Sequence, residues 1–482
     1  MIERLFRLKD NRTTVRTEIV AGLTTFMTMA YILAVNPDIL SASGMPKGGV
    51  FVATALAAVI GTLCMALFAN YPFVLAAGMG LNAYFAFSVC GDMGYSWQFA
   101  LLAVFVEGLV FLLLSATSVR ESIFNAIPIS LKKAVAVGIG LFITLIALKN
   151  AGILVSDAAT YVKLVPFHGV PFHTKGVVAV LALIGILVTT VLLALRIKAA
   201  ILLGILATWL LGLLAELTGL YAPDAAAGCF STIPHFAQDA DGFTFAGYFK
   251  AVGDTFREFG TTFGAVFDPS GWVHTAEDGA ITTGWDLAFS LNFFVIMFAF
   301  FFVDLFDTLG TLIGVSLKGG FLDKKGRLPR ISGALYADSI ATSVGAVFGT
   351  STTTTFVESS SGVAAGGKTG LTAVTAAVLF LLSLLLAPIF LAIPSFATTP
   401  ALVVVGFLMM GAVSGIDFND VGEGLPAFLC IIAMPFFYSI SDGIMFGVIS
   451  YTLVNLLTGR AKKISPVMYV LTVVFLAKYA LM

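Results

Sequence analysis

Asp304 and Asp307 stand three residues apart in Phe301-Phe302-Val303-Asp304-Leu305-Phe306-Asp307-Thr308, inside a long apolar block, and Glu358 follows Phe356-Val357 at the head of another. Ionisable side chains are costly in hydrocarbon, so the few found there are functional candidates by default. The i, i+3 spacing puts Asp304 and Asp307 on one helix face. A carboxylate in a dry site with no cation beside it holds a proton more readily than one in water. Such a group carries a proton at neutral pH, releases it when the site hydrates, and accepts hydrogen bonds from a ring N–H or an exocyclic amine. One residue would then couple proton binding to substrate binding. The bland alternative for Asp304 and Asp307 is a helix cap or an interhelical hydrogen bond. Glu107, alone in its block, reads as structural, and Lys149 ends the block after it.

Enzymatic chemistry has no visible equipment. His168, His173, His235 and His274 lie in loop-like stretches and form no ligand cluster, and Cys64, Cys90, Cys229 and Cys430 lack CxxC spacing. The cysteines read as small packing residues. No metal and no organic cofactor is expected; the proton is the only coupling ion the residues suggest.

The carboxylates need elements to hold them, and two apolar segments are interrupted at matching places. Tyr71-Pro72-Phe73-Val74-Leu75-Ala76-Ala77-Gly78-Met79-Gly80-Leu81-Asn82 contains a proline and two glycines that disfavour a regular helix. Gly349-Thr350-Ser351-Thr352-Thr353-Thr354-Thr355-Phe356-Val357-Glu358 is a β-friendly run of hydroxyl residues. Each predicts a short extended piece feeding a half-helix, starting near Gly80 and near Glu358. Backbone of that kind is tolerated at membrane depth only where protein buries it or a cavity solvates it. Its free N–H groups and the positive helix end suit an uncharged, acceptor-rich ligand. Small residues that merely permit tight helix packing are the competing explanation.

The surrounding chain is 59% hydrophobic and 11% charged, against about 45–50% and about 25% in soluble domains. So few charges cannot cover a water-soluble surface of this size, and the excess apolar surface must face lipid. Net charge is −1, which suggests no nucleic-acid partner. Apolar blocks near the roughly 20 residues needed to cross hydrocarbon fall at 20–41, 50–69, 72–90, 97–116, 131–149, 175–195 and 199–220. After a polar interval, 221–283, they resume at 284–317, 331–350, 354–366, 370–393, 400–415, 425–457 and 466–482. The 425–457 block is too long for one span, and Pro435 with Ser441-Asp442-Gly443 predicts a break there. Basic residues in the N-terminus, Arg120–Lys133, Arg196/Lys198 and Lys318–Arg330 fall on one side, which the positive-inside rule makes cytoplasmic. The polar interval divides the chain into two comparable halves, as an inverted repeat would.

Gly78-Met79-Gly80-Leu81-Asn82-Ala83, Phe306-Asp307-Thr308-Leu309-Gly310-Thr311 and Glu358-Ser359-Ser360-Ser361-Gly362-Val363, followed by Gly366-Gly367-Lys368-Thr369-Gly370-Leu371-Thr372-Ala373, resemble the AzgA-like purine permeases. These are hypoxanthine, guanine and adenine carriers of the nucleobase–ascorbate transporter superfamily, and the likeness runs from Thr24-Thr25-Phe26 to the C-terminus. The resemblance implies an all-α polytopic membrane protein of about fourteen segments in a seven-plus-seven inverted repeat, with segments three and ten broken by short strands. The halves would be 20–220 and 284–482, joined by an extracytoplasmic loop at 221–283 and preceded by a cytoplasmic N-terminus at 1–19. A core domain would comprise about 20–120 and 284–393, and a gate domain about 131–220 and 400–482.

Carried over by motif position, the substrate residues are Glu358, Asp307, Asp304, Asn82 and Gly80, with Thr25, Val357 and Ser359 beside them. Asp307, Glu358 and Asp304 would serve proton coupling. The resemblance also implies a purine nucleobase as partner, membrane lipid around the protein, a homodimer, and residence in a bacterial inner membrane. Two departures matter. Ser359-Ser360-Ser361 replaces the acidic residue or Gln, then Asn, of the uracil and xanthine branch, which argues against those substrates. Asp304 stands where adenine-selective members carry an amide, which leans toward hypoxanthine and guanine. An anion carrier on the same architecture is the alternative, although it would want Arg or Lys rather than Glu358 beside the half-helix.

Overall fold

The structure is a computed structural model describing residues 2–115, 127–157, 160–168, 170–224, 229–234, 244–276, 278–323 and 328–481. Basic residues expected at 120–126 and 324–327, and His235, lie outside the described residues. The first half carries α1 (Ile2–Phe6), α2 (Val15–Met29), α3 (Ile32–Ser41), α4 (Lys47–Cys64), α5 (Met79–Ala83), α6 (Trp97–Ser115), α7 (Ile129–Asn150), α8 (Val177–Ala194) and α9 (Ala200–Leu217). Then come α10 (Phe245–Thr262), α11 (Leu291–Gly319), α12 (Ile331–Phe348), α13 (Ser359–Ala364), α14 (Gly370–Ser383), α15 (Ser395–Met410), α16 (Val421–Phe436), α17 (Ile440–Leu457) and α18 (Pro466–Leu481). Among the described residues, 11 helical stretches are long and apolar enough to cross a bilayer, and two shorter apolar helices, Val421–Phe436 and Pro466–Ala477, accompany them.

Six strands pair as three antiparallel ribbons: β1 (Leu75–Ala77) with β6 (Thr353–Thr355), β2 (Leu154–Asp157) with β3 (Tyr161–Leu164), and β4 (Val273–Thr275) with β5 (Ile281–Thr283). The last two decorate loops, whereas β1 and β6 are buried throughout. Helices fall into two packing groups. α2, α3, α4, α6, α12 and α14 pack around the β1–β6 pair, while α7, α8, α9, α15, α16 and α17 pack on one another. Close approach in the first group depends on glycine: a Cβ on Gly61 of α4 would lie 2.5 Å from that of Ala341 on α12.

Two features depart from the sequence expectation. The interval 221–283 is more than a loop: it contains α10, whose Glu258 accepts from the backbone N–H of Gly48 at 2.8 Å and so closes the start of α4. The 425–457 block does break, but at Phe437–Ser439 rather than at Ser441-Asp442-Gly443. Tyr438 takes a positive φ of 55°, and Ser439 caps α17 by accepting from Asp442 N. The two helices fold back on each other, since Asp420 before α16 pairs with Arg460 and Lys463 after α17. The Arg460 guanidinium beside Asp420 holds its carboxyl below the usual carboxylate range.

Candidate functional site

At the centre of the molecule the chain cannot stay helical, and every backbone group freed there needs a partner. The β1–β6 pair supplies them about a local two-fold through Ala76 and Thr354. Gly78 N donates to Thr352 O and Phe356 N to Val74 O, each at 3.0 Å, just beyond opposite ends of the ribbon. The outer edges are met by side chains in the same symmetric way. Thr62 on α4 accepts from Leu75 N at 3.0 Å and donates to Leu75 O at 3.4 Å. Thr342 on α12 accepts from Thr353 N at 3.3 Å and donates to Thr353 O at 3.1 Å. Changing Thr342 to Val strips partners from two buried backbone groups, and is expected to lower unfolding stability in detergent by about 1–3 kcal/mol. Thr342→Ser should retain it; an unchanged melting temperature in Thr342→Val would contradict this role.

The ribbon delivers two half-helices. α5, continued by a wide turn to Asp92, leaves β1, and α13 leaves β6. Glu358 occupies the N-cap position of α13, yet its side chain makes no capping bond and turns to Tyr31, whose hydroxyl donates to Oε1 at 2.6 Å. Asp307, on α11, accepts from Thr354 Oγ1 of β6 at 3.1 Å through Oδ2. Glu358 and Asp307 are both half-buried and interact electrostatically. Besides Tyr31 the Glu358 carboxylate has no hydrogen bond from another described residue, and besides Thr354 the Asp307 carboxylate has none. Asp304 is fully buried behind them, with Thr308 Oγ1 2.9 Å from its Oδ1 and 2.7 Å from Asp338 Oδ1.

The remaining expected site residues are placed as follows. Asn82 is buried, its Oδ1 accepting from Ser351 Oγ, while its Nδ2 donor has no partner among the described residues. Gly80 faces Ile139 of α7, where a Cβ would come within 2.6 Å of Ile139 Cγ2, so it sets the approach of the two packing groups. Thr25 is buried in α2 against Gly362 of α13, bonded to Ala21 O at 3.1 Å. Val357 is exposed beside Glu358. Ser359 turns inward and accepts from Val74 N at 3.0 Å, tying the two broken segments together. The structure thus brings Glu358, Asp307 and Val357 to one accessible place, with Asp304, Asn82, Thr25 and Ser359 in the layer behind. Glu107 accepts from Thr352 Oγ1 at 2.9 Å, a structural tether.

Sequence reasoning missed three residues. Tyr31 lies in the first apolar block, where a tyrosine carries no signal of its own. Asp338 sits in Ala337-Asp338-Ser339 within the 331–350 block, and the rarity of acids in apolar blocks was the signal for it. Glu18, fully buried, accepts from Lys368 N, Thr369 N and Thr372 N at 3.0–3.2 Å, a negative charge at the start of α14.

A cleft of about 570 Å³ opens on the face that holds α10, lined among others by Lys47, Asn150, Tyr221, Glu258 and Phe396. Neither Glu358 nor Asp307 lines it. Asp38 stands beside it, its Oδ1 accepting from Lys47 Nζ at 2.8 Å and Ser395 Oγ at 2.7 Å, its Oδ2 from Thr398 Oγ1 at 3.1 Å.

Crossed broken segments at the centre of an apolar helical body, with carboxylates beside them, define an integral membrane transporter of the discontinuous-helix class. The fold agrees. The transmembrane domain of the cyanobacterial bicarbonate transporter BicA aligns with TM-score 0.56 and 13% identity, covering 90% of this chain and 97% of that one. SLC26A9 aligns with TM-score 0.60 and 11% identity over 94% of this chain and 66% of that one. The family is shown by sequence: residues 16–446 match the xanthine/uracil permease model of the permease family, and the chain belongs to that family. It is 42% identical to the guanine/hypoxanthine permease PbuO of Bacillus subtilis over 475 residues, 98% of each chain. It is 38% identical to the adenine permease AdeP of Escherichia coli over 478 residues, 99% of this chain and 96% of that one. The protein is accordingly a transporter and not an enzyme.

Proposed function

We propose that the chain is a proton-coupled carrier of purine nucleobases, guanine and hypoxanthine ahead of adenine, working by alternating access. The observation that carries this reading is the pair Glu358 and Asp307: two half-buried carboxylates, each held by a single side-chain hydroxyl through one oxygen. Open carboxylate oxygens accept purine N–H groups and bind protons. Asn82 Nδ2 adds a buried donor in the layer behind. Relatives named for guanine/hypoxanthine and adenine support the substrate class. The likeness to a bicarbonate transporter favours an anion carrier at the level of fold, but carboxylates at the half-helix repel an anion. Ser359-Ser360-Ser361 weighs against uracil and xanthine.

In this reading the helices around the ribbon form the core and the second packing group forms the gate, within a seven-plus-seven layout that the local two-fold supports. Lys133 reaches Gly415 O at 2.9 Å on the face of Asp420 and Arg460, gathering basic residues on the side we assign to the cytoplasm together with the N-terminus. Residence in a bacterial inner membrane and pairing as a homodimer belong to the same reading.

Asp38 joins core to gate. Seven residues of helix separate it from Tyr31, about 10 Å at 1.5 Å per residue, so it stands between the site and the cleft. Removing it in Asp38→Ala forfeits hydrogen bonds to a charge worth about 1.5–3 kcal/mol. Amide exchange of residues 395–399 should then quicken at least about tenfold; unaltered exchange would contradict the latch.

Equilibrium binding of guanine, hypoxanthine, adenine, xanthine, uracil and sulfate to purified protein tests the substrate assignment. Guanine, hypoxanthine and adenine should bind, and xanthine, uracil and sulfate should not. Binding of sulfate, of xanthine or uracil in preference to these three, or of none of the nucleobases, would overturn it.

A further inference from the structure

The two oxygens of Glu358 differ. Tyr31, 1% exposed, donates its hydroxyl to Oε1 at 2.6 Å, while Oε2 has no hydrogen bond from any other described residue. Tyr31 is held by its place where α2 gives way to α3, its backbone carbonyl accepting from Ala34 N and Val35 N at 3.0 Å. A phenol O–H aimed at Oε1 keeps that oxygen an acceptor. A proton arriving on the carboxyl therefore binds Oε2, because the hydroxyl oxygen of a protonated acid accepts hydrogen bonds poorly.

We infer that Tyr31 is a positioning residue that assigns the coupling proton and the purine to the same atom, Glu358 Oε2. The inference rests on the proton-coupled reading above and says where in that site coupling occurs. Bare Oε2 accepts a purine N–H. Protonated Oε2 instead donates to a purine carbonyl oxygen or ring nitrogen, so adding or removing one proton changes which edge of the base the site holds. Proton and substrate then cannot occupy the site independently. Asp307 repeats the arrangement, with Thr354 on Oδ2 and Oδ1 open. The other ionisable groups nearby, Asp304, Asp338 and Glu107, have hydrogen bonds to Thr308 or Thr352 and lie in the buried layer.

Without the Tyr31 hydroxyl, Oε1 becomes a second place for the proton, and protonation no longer occupies the oxygen that meets the base. The chain would still bind and exchange purine but would lose its drive from the proton gradient.

The test uses full-length protein in liposomes, wild type and Tyr31→Phe, with radiolabelled guanine and an entrapped pH dye. Three quantities are read: guanine counterflow without a pH gradient, accumulation driven by a pH gradient, and guanine-stimulated proton entry. In Tyr31→Phe, counterflow should stay within about threefold of wild type. Accumulation and guanine-stimulated proton entry should fall at least about tenfold, as expected for losing a hydrogen bond to a charged group. Equal losses in all three would mark Tyr31 as merely structural, and no loss in any would show that it does not position Glu358; either result overturns the inference. Wild-type protein that moves guanine without protons would instead overturn the coupling reading itself.

Discussion

Replacing Glu358 with Gln is expected to remove proton-driven purine accumulation, lowering it by roughly 10–100-fold, the equivalent of a hydrogen bond to a charged group. Gln matches Glu in shape and keeps a carbonyl oxygen able to accept from Tyr31. What changes is the second position, where an amide donor replaces Oε2. The amide permanently presents the donor that only the protonated acid presents in wild type, and the side chain no longer takes up or releases a proton. The proton-dependent switch is lost while packing is preserved, so the melting temperature should stay close to wild type. Uptake of radiolabelled guanine into liposomes, alongside thermal unfolding, checks this. Accumulation near wild-type levels would remove Glu358 from the coupling site.

The next largest effect is expected at Gly362. A Cβ there would lie 2.0 Å from Thr25 Oγ1 and 2.8 Å from Ala21 O, so α13 rests directly on α2. Val at this position forces the half-helix away from α2, and overpacking of this kind costs about 1–3 kcal/mol or more. Glu358 heads that half-helix, so its carboxylate moves as well, and a displacement of about 1 Å is enough to cost roughly 10²-fold in a positioned site. Gly362→Val should therefore lose both stability and purine binding. Gly310, in the motif that carries Asp307, is the contrast, because among the described residues no side chain lies within 4 Å of a Cβ placed there. Gly310→Ala should bind purines like wild type. Equal tolerance of both substitutions in a binding assay would contradict the packing of α13 on α2.

These two cases mark where sequence was informative. Apolar blocks disclosed the spanning helices, because a helix facing lipid needs a long uninterrupted run. The interruptions at Pro72-Gly78-Gly80 and across Thr350–Thr355 disclosed the ribbon, since neither stretch has helical propensity. Glu358 and Asp307 were visible because charge is rare in such surroundings. Their partners were hidden. Tyr31 meets Glu358 across 327 residues of chain, and Thr62 and Thr342 cap strands from other helices, contacts that only the fold creates. Glu18 stands just before the first apolar block, where nothing in the sequence shows that it closes the start of α14 some 350 positions later. α10 was missed because its apolar residues are spaced singly, Phe245, Phe249, Val252 and Phe256, inside a polar interval. The break between α16 and α17 falls between Pro435 and Ser441-Asp442-Gly443, which bracketed it in sequence, but that Ser441-Asp442-Gly443 is helical follows only from the positive φ of Tyr438 and the cap at Ser439.

The most direct test of the proposed transport cycle is guanine uptake by purified protein in liposomes, with and without an inward proton gradient, while internal pH is followed in the same vesicles. The expected result is accumulation above equilibrium only with the gradient, accompanied by guanine-dependent acidification that Glu358→Gln eliminates. Accumulation that ignores the gradient, or acidification that persists in Glu358→Gln, would contradict proton coupling through this site.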